Sequence, residues 1–123
     1  MPMRSRGVVY IVDADASVRQ GLARLMDAAG LEARPCESTA AFLRLGPAGR
    51  CSCALIDASD LMQCEPDPWA QLCAAARAMP LIALSLDDDP ATRQMARALG
   101  VQAFFRKPVD AAALLDSAPS AAY

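Results

Sequence analysis

Four residues far apart in the chain carry groups that could act together on one ligand: Asp13, Asp57, Ser85 and Lys107. Each stands directly after a short strand-like run, apolar in Gly7 to Val12, Cys53 to Ile56 and Leu81 to Leu84 and largely so in Ala103 to Arg106. Continuous apolar runs of this length read as strands buried on both faces. In an open parallel sheet, ligands bind outside the carboxyl ends of the strands. Two carboxylates, a hydroxyl and an amine are therefore expected along a single edge. Carboxylates alone commonly mark nothing more than a solvated strand end. Lys107 changes the weighing, because it is the only lysine beside eleven arginines. A chain that otherwise uses Arg keeps Lys where a compact, flexible point charge is needed beside an anion.

The elements that must position these groups follow from periodicity and punctuation. After Asp13, the stretch Ala14 to Ser17 offers helix caps, and Val18, Leu22, Leu25, Met26 and Ala29 recur at helical spacing up to Gly30. Leu31 to Cys36 reads as a second strand. Ser38 or Thr39 caps a short helix ending near Leu45, before a loop forced by Gly46-Pro47-Ala48-Gly49. The polar, proline-bearing stretch from Ala58 to Pro68 reads as a loop, and Trp69 to Ala78 as a helix stopped by Pro80. Asp87-Asp88-Asp89-Pro90 is a strong helix start, with carboxylates at the positive end and proline at the first helical position. That helix runs to Leu99 and Gly100. A last short helix spans Asp110 to about Ser117. Strands alternating with helices imply parallel pairing, right-handed crossovers and helices on both faces, that is, a doubly wound open sheet.

Bulk properties bound the function. A chain of 123 residues has the size of one domain, roughly 100–150 residues, and its 54% apolar content suffices for a full core. One domain over 1–123 is expected, with a core at about 7–117 and a short tail at 118–123. A formal charge of −2 argues against direct nucleic-acid binding, which needs clustered Lys and Arg. No apolar run approaches the roughly 20 residues that span a bilayer, and no secretory signal precedes the first strand, so a cytoplasmic protein is expected. Cys36, Cys51, Cys53, Cys64 and Cys73 are odd in number and irregular in spacing, and no His accompanies them. They read as small apolar residues rather than as disulfides or a zinc site. Met26, Met62 and Met95 read as core. Arg93, Arg97 and Arg106 read as surface.

Val12-Asp13, Leu55-Ile56-Asp57, Leu84-Ser85 and Phe104-Phe105-Arg106-Lys107-Pro108, in this order and spacing, resemble the receiver domains of two-component response regulators. Tyr10 to Asp13 with Ser17-Val18-Arg19, and Ser38 to Leu43, resemble the FixJ branch of that family. The resemblance runs from Val8 to about Asp116. It implies a CheY-like, flavodoxin-like five-stranded sheet in the order 2-1-3-4-5. It implies that Asp57 accepts phosphate from a sensor histidine kinase and that the domain switches an output domain, a partner or a second receiver. It further implies an Mg²⁺ site of Asp13, Asp57 and the backbone carbonyl of Ser59, with Ser85 and Lys107 holding the phosphoryl group and Phe104 as the switching aromatic. No enzymatic role beyond self-phosphorylation and self-dephosphorylation is implied.

Three departures stand out. Ala14 replaces the second acid of the family's pair, which should weaken Mg²⁺. Asp15 is free either to reach the ion or to cap the following helix. Leu86 replaces a small residue after Ser85 and is expected to narrow access. The loop after Asp57 lacks the usual Met-Pro and Gly. A degenerate receiver, acting as a phosphorylation-independent interaction module through the helix from Pro90, the last strand and the last helix, is the second expectation. A nucleotide-binding flavodoxin-like domain is disfavoured by the lack of a Gly-rich phosphate loop after the first strand.

Overall fold

The computed structural model describes residues 7–45, 52–86, 88–107 and 110–117. The expected loop at 46–49, Cys51, Asp87, Pro108 and the expected tail at 118–123 lie outside the described residues, as do residues 1–6.

Five strands, β1 (Val8–Val12), β2 (Glu32–Cys36), β3 (Ser52–Asp57), β4 (Leu81–Ser85) and β5 (Ala103–Arg106), form one sheet. All pairings are parallel and the order is β2-β1-β3-β4-β5. This is the doubly wound order expected above. The helices are α1 (Ala16–Ala28), α2 (Thr39–Arg44), α3 (Ala58–Met62), α4 (Pro66–Ala78), α5 (Pro90–Leu99) and α6 (Ala111–Ser117).

The two-residue alternation of strand side chains divides the core into two layers. Val9, Ile11, Cys53, Leu55, Ile82 and Leu84 face Met26 of α1 and Leu114 of α6. Tyr10, Val12, Ala54, Ile56, Leu81 and Ala83 face Phe42, Leu61, Leu72, Ala96 and Leu99 from α2 to α5. The continuously apolar runs thus serve both layers. Cys36 and Cys53 are buried, and Cys64 and Cys73 pack partly buried against the α2-to-α5 layer, so these four behave as small apolar residues. Burial pushes the Cys53 thiol up to about 12.

Local signals set most boundaries. Asp15 caps α1 by accepting from Ser17 N and Val18 N, at 2.8 and 3.4 Å. Ser38 Oγ accepts from Ala41 N at 3.1 Å, and Asp89 Oδ1 accepts from Thr92 N at 3.0 Å. Gly100 ends α5 at φ 91°, a left-handed conformation that costs L side chains strain.

The segment from Ala58 to Pro68 is not the loop that its polarity suggested. It holds α3 and the first turn of α4, which begins at Pro66. Proline is well suited there, because the first helical N–H has no intrahelical partner anyway. Ala58 and Leu61 are buried, which gives even this short helix an anchored face.

Candidate functional site

Strand register determines which residues meet at the C-terminal rim. Val12 pairs with Ile56, so Asp13 and Asp57 leave adjacent strands side by side. From β1 the chain crosses to β2 on one side, and from β3 to β4 on the other. Their shared end is thus the switch point where doubly wound sheets form a crevice. Ser85 pairs with Arg106, which sets Lys107 just past β5, and Lys107 N donates to Ser85 O at 2.7 Å. Two strand spacings of about 4.8 Å each separate β5 from β3. A long lysine stem can cross that gap. Nζ donates to Asp13 Oδ2 at 2.7 Å and to Asp57 Oδ1 at 3.1 Å. The side chains of Asp13, Asp57 and Lys107 are 5%, 13% and 11% exposed, so this triad is screened little by solvent.

The electrostatic balance follows from these contacts. Burial alone would lower the Lys107 pKa; hydrogen bonds and charge from Asp13 and Asp57 together outweigh it, and the ammonium titrates above its ordinary value. The remaining carboxylate oxygens also have donors. Asp13 Oδ1 accepts from Asp15 N at 2.9 Å, and Asp57 Oδ2 accepts from Ser59 Oγ. Ser59 thus contacts Asp57 through its hydroxyl. Its carbonyl belongs to the helical turn of α3.

Ala14 is exposed and brings no ligand. Asp15 is engaged as the α1 cap, which decides between its two roles. Arg19 Nη1 donates to the carbonyls of Asp13 at 2.7 Å and Ala14 at 3.3 Å, fixing a second cation against this loop.

Asp13, Asp57, Ser59, Ser85 and Lys107 line one cleft of about 540 Å³. Ala14, Val18, Met62 and Leu86 add apolar surface to its walls. Met62, expected in the core, is 55% exposed, and Leu86 is 70% exposed. The Met62 misreading has a plain cause: it is the last residue of a five-residue helix whose inward positions are taken by Ala58 and Leu61. Phe104 is not in the cleft. It packs against the α2-to-α5 layer, with the Arg93 guanidinium carbon 4.9 Å from its ring centroid. Arg93 in turn pairs with Asp88, Nη2 to Oδ2 at 3.1 Å.

Asp60 belongs near this site and was not singled out from sequence. Burial first, then the charges of Asp57 and Asp13, raise its pKa, and its Oδ2 is buried without a hydrogen-bond partner. The available signal was its spacing, three residues after Asp57, which places both on one side if the segment is helical.

No protein-family model matches the chain, and no curated protein matches it. Solved structures do match. A response regulator receiver protein from Burkholderia phymatum is 27% identical with TM-score 0.71, the alignment covering 91% of each chain. The chemotaxis protein CheY4 of Vibrio cholerae is 20% identical with TM-score 0.73, over 92% of this chain and 96% of that one. Full-length FixJ from B. japonicum is 24% identical with TM-score 0.73, over 93% of this chain and 56% of that one. The chain has the fold of CheY-like receiver domains. No described helix is long and apolar enough to cross a membrane.

Receiver domains of this fold typically bind Mg²⁺. Mg²⁺ requires a near-octahedral oxygen shell and dehydrates reluctantly. Among the described residues no group of three His, Cys, Asp or Glu side chains is arranged to hold a metal. Asp13 and Asp57, side by side at adjacent strand ends, are the carboxylates that would hold the ion, and Ala14 adds none.

Proposed function

We propose that the chain is a signalling receiver in which Asp57 accepts a phosphoryl group from a sensor histidine kinase and the rim relays the change to a partner. Residues 1–123 form one receiver domain with its core at about 7–117, working in the cytoplasm. The reading rests on the convergence of Lys107 Nζ on Asp13 and Asp57, at 2.7 and 3.1 Å, beside Ser85 in one cleft. An oxygen of the Asp57 carboxylate attacks phosphorus, and the bond from phosphorus to the kinase imidazole nitrogen breaks. The nitrogen keeps the electron pair, and an acyl phosphate remains on Asp57. The new dianion attracts the Lys107 ammonium away from the carboxylates, together with the Ser85 hydroxyl. Lys107 follows β5 directly, so its movement bears on Phe104 and on the face made by α5, β5 and α6. That face is the one proposed to meet an output domain, a partner or a second receiver.

The test is intact-mass measurement after incubation with a phosphohistidine donor or a small acyl phosphate. The expected result is a gain of one phosphoryl group, labile at alkaline pH and absent from Asp57→Asn. No gain under conditions that phosphorylate another receiver would sink the proposal. It would leave the second reading, a phosphorylation-independent interaction module, which Ala14 at the metal-binding position favours.

A further inference from the structure

A second recess is formed by the start of α2, by α3 and by the entry to α4. Thr39, Asp60, Gln63, Cys64, Glu65 and Pro68 line it, around a volume of about 210 Å³. Two of these side chains carry an oxygen that is buried without a hydrogen-bond partner among the described residues, Thr39 Oγ1 and Asp60 Oδ2. Thr39 as a whole is only 8% exposed. Local structure explains how the two come to share one recess. Ser38 caps α2, so Thr39 heads its first turn, while buried Ala58 and Leu61 anchor α3 and hold Asp60 partly buried between them. A buried polar atom left unpaired carries a desolvation cost that a ligand with fitting donors recovers. Two such atoms on the residues of one small recess point to a ligand.

The charge of the recess selects that ligand. Asp60 and Glu65 belong to no ion pair among the described residues, and the described lining residues include no Lys or Arg. Burial and the charges of Asp57 and Asp13 make the ionised form of Asp60 costly, and the nearby Lys107 ammonium is held by those two other acids. A cation in the recess offsets that cost. A metal ion fits poorly, because no group of three ligating side chains is arranged for one among the described residues. The recess is also roughly seven times the ~30 Å³ that one water takes up in the liquid, too roomy for a bare ion. An ammonium is compact and strongly hydrated. A guanidinium is planar, more weakly hydrated and rich in N–H donors, so one group can serve several acceptors in a partly buried place. We propose that this recess binds a guanidinium group. Its source is a small free compound or the arginine of a partner, which one arm of the experiment separates. The site lies outside the acceptor cleft, and its occupancy does not depend on phosphorylation of Asp57.

Two-dimensional ¹H–¹⁵N NMR of the full chain tests this by titration with methylguanidinium chloride at constant chloride. The expected result is saturable shifts centred on the amides of 39–40, 60 and 63–65, with a midpoint of about 10 mM or below. Methylammonium chloride and methylurea, the neutral isostere, should bind at least about tenfold more weakly. A blocked pentapeptide with one central arginine among alanines separates the sources. Tighter binding than methylguanidinium assigns the site to a partner's arginine, and equal or weaker binding assigns it to a free compound. Glu65→Gln changes an exposed residue and should weaken binding about threefold, and Asp60→Asn at least about tenfold. Thr39→Val supplies a readout that a merely structural hydroxyl would not move in this direction. It removes an unpaired buried group, so the urea midpoint should rise by about 0.5 M while methylguanidinium binding weakens. Shifts that do not saturate, that methylurea matches, or that survive Asp60→Asn in full overturn the proposal. A less stable Thr39→Val, with no methylguanidinium binding by the unaltered chain, assigns the recess to a bound water only and overturns it equally. Either failure leaves the acceptor reading of Asp57 intact, because no phosphoryl donor is used. Circular dichroism of each variant establishes that it is folded before titration.

Discussion

The lysine of the rim is held by two acids that would otherwise face one another across adjacent strands. Removing it leaves two carboxylates that are 5% and 13% exposed without their cation. Lys107→Met should therefore cost about 3 kcal/mol at neutral pH, read from urea unfolding. Asp57→Asn leaves Lys107 paired with Asp13 and should cost far less. The pH dependence has a definite sign. The folded-state pKa of Lys107 lies above its ordinary value of 10.5, so the unfolded chain loses this proton first. Its contribution is complete below that value and is lost as pH rises through the folded pKa. The urea midpoint of the unaltered chain should thus fall more steeply above about pH 10.5 than that of Lys107→Met. Cys53, pushed up to about 12, adds a loss of the same sign in both proteins and cancels from the comparison. Equal slopes would remove the ion pair from the account. At this scale much of the site was legible: Asp13, Asp57, Ser85 and Lys107 each follow a strand, and strand ends are what hydrophobic runs define best. Asp60 and Arg19 were not, because their roles depend on backbone paths that apolar periodicity does not encode.

Elements were legible where composition and capping agreed. The helix from Pro90 to Leu99 has an Asp89 cap, proline at its first position and Gly100 at its end. The stretch after Asp57 was misread because its polarity and two prolines suggested a loop, while Leu61 was already enough to dock a single turn under α5 and β4. Gly100 offers a clean measurement of a helix stop. A Cβ added there meets nothing within 4 Å, so Gly100→Ala carries backbone strain and no clash. We expect a loss of about 1 kcal/mol in urea unfolding, with an unchanged circular dichroism spectrum. A neutral result would mean that α5 can end without the left-handed turn.

Across the whole molecule, stability should be graded from the middle of the sheet outward. Strands β3 and β4 are buried along almost their entire length, whereas β5 is an edge strand with half-buried residues and an exposed Arg106. Leu114 of α6 is fully buried against the layer that β5 helps to cover. Leu114→Ala should cost about 3 kcal/mol. It should also speed amide exchange at 103–106 and 111–116 well before 52–57 and 81–85. Uniform acceleration across all five strands would show instead that the edge opens only when everything does. The layering was foreseeable from alternation in the strands. The relation of Phe104 to Arg93 was not, since it depends on how α5 lies against β5. The solitary lysine has a practical consequence for the molecule as a whole. Reagents that acylate neutral amines have one side-chain target besides the chain start, and that target is clamped between acids at 11% exposure. Its labelling rate becomes a built-in reporter: slow while the clamp is closed, and faster whenever a bound partner or a new anion draws the amine away.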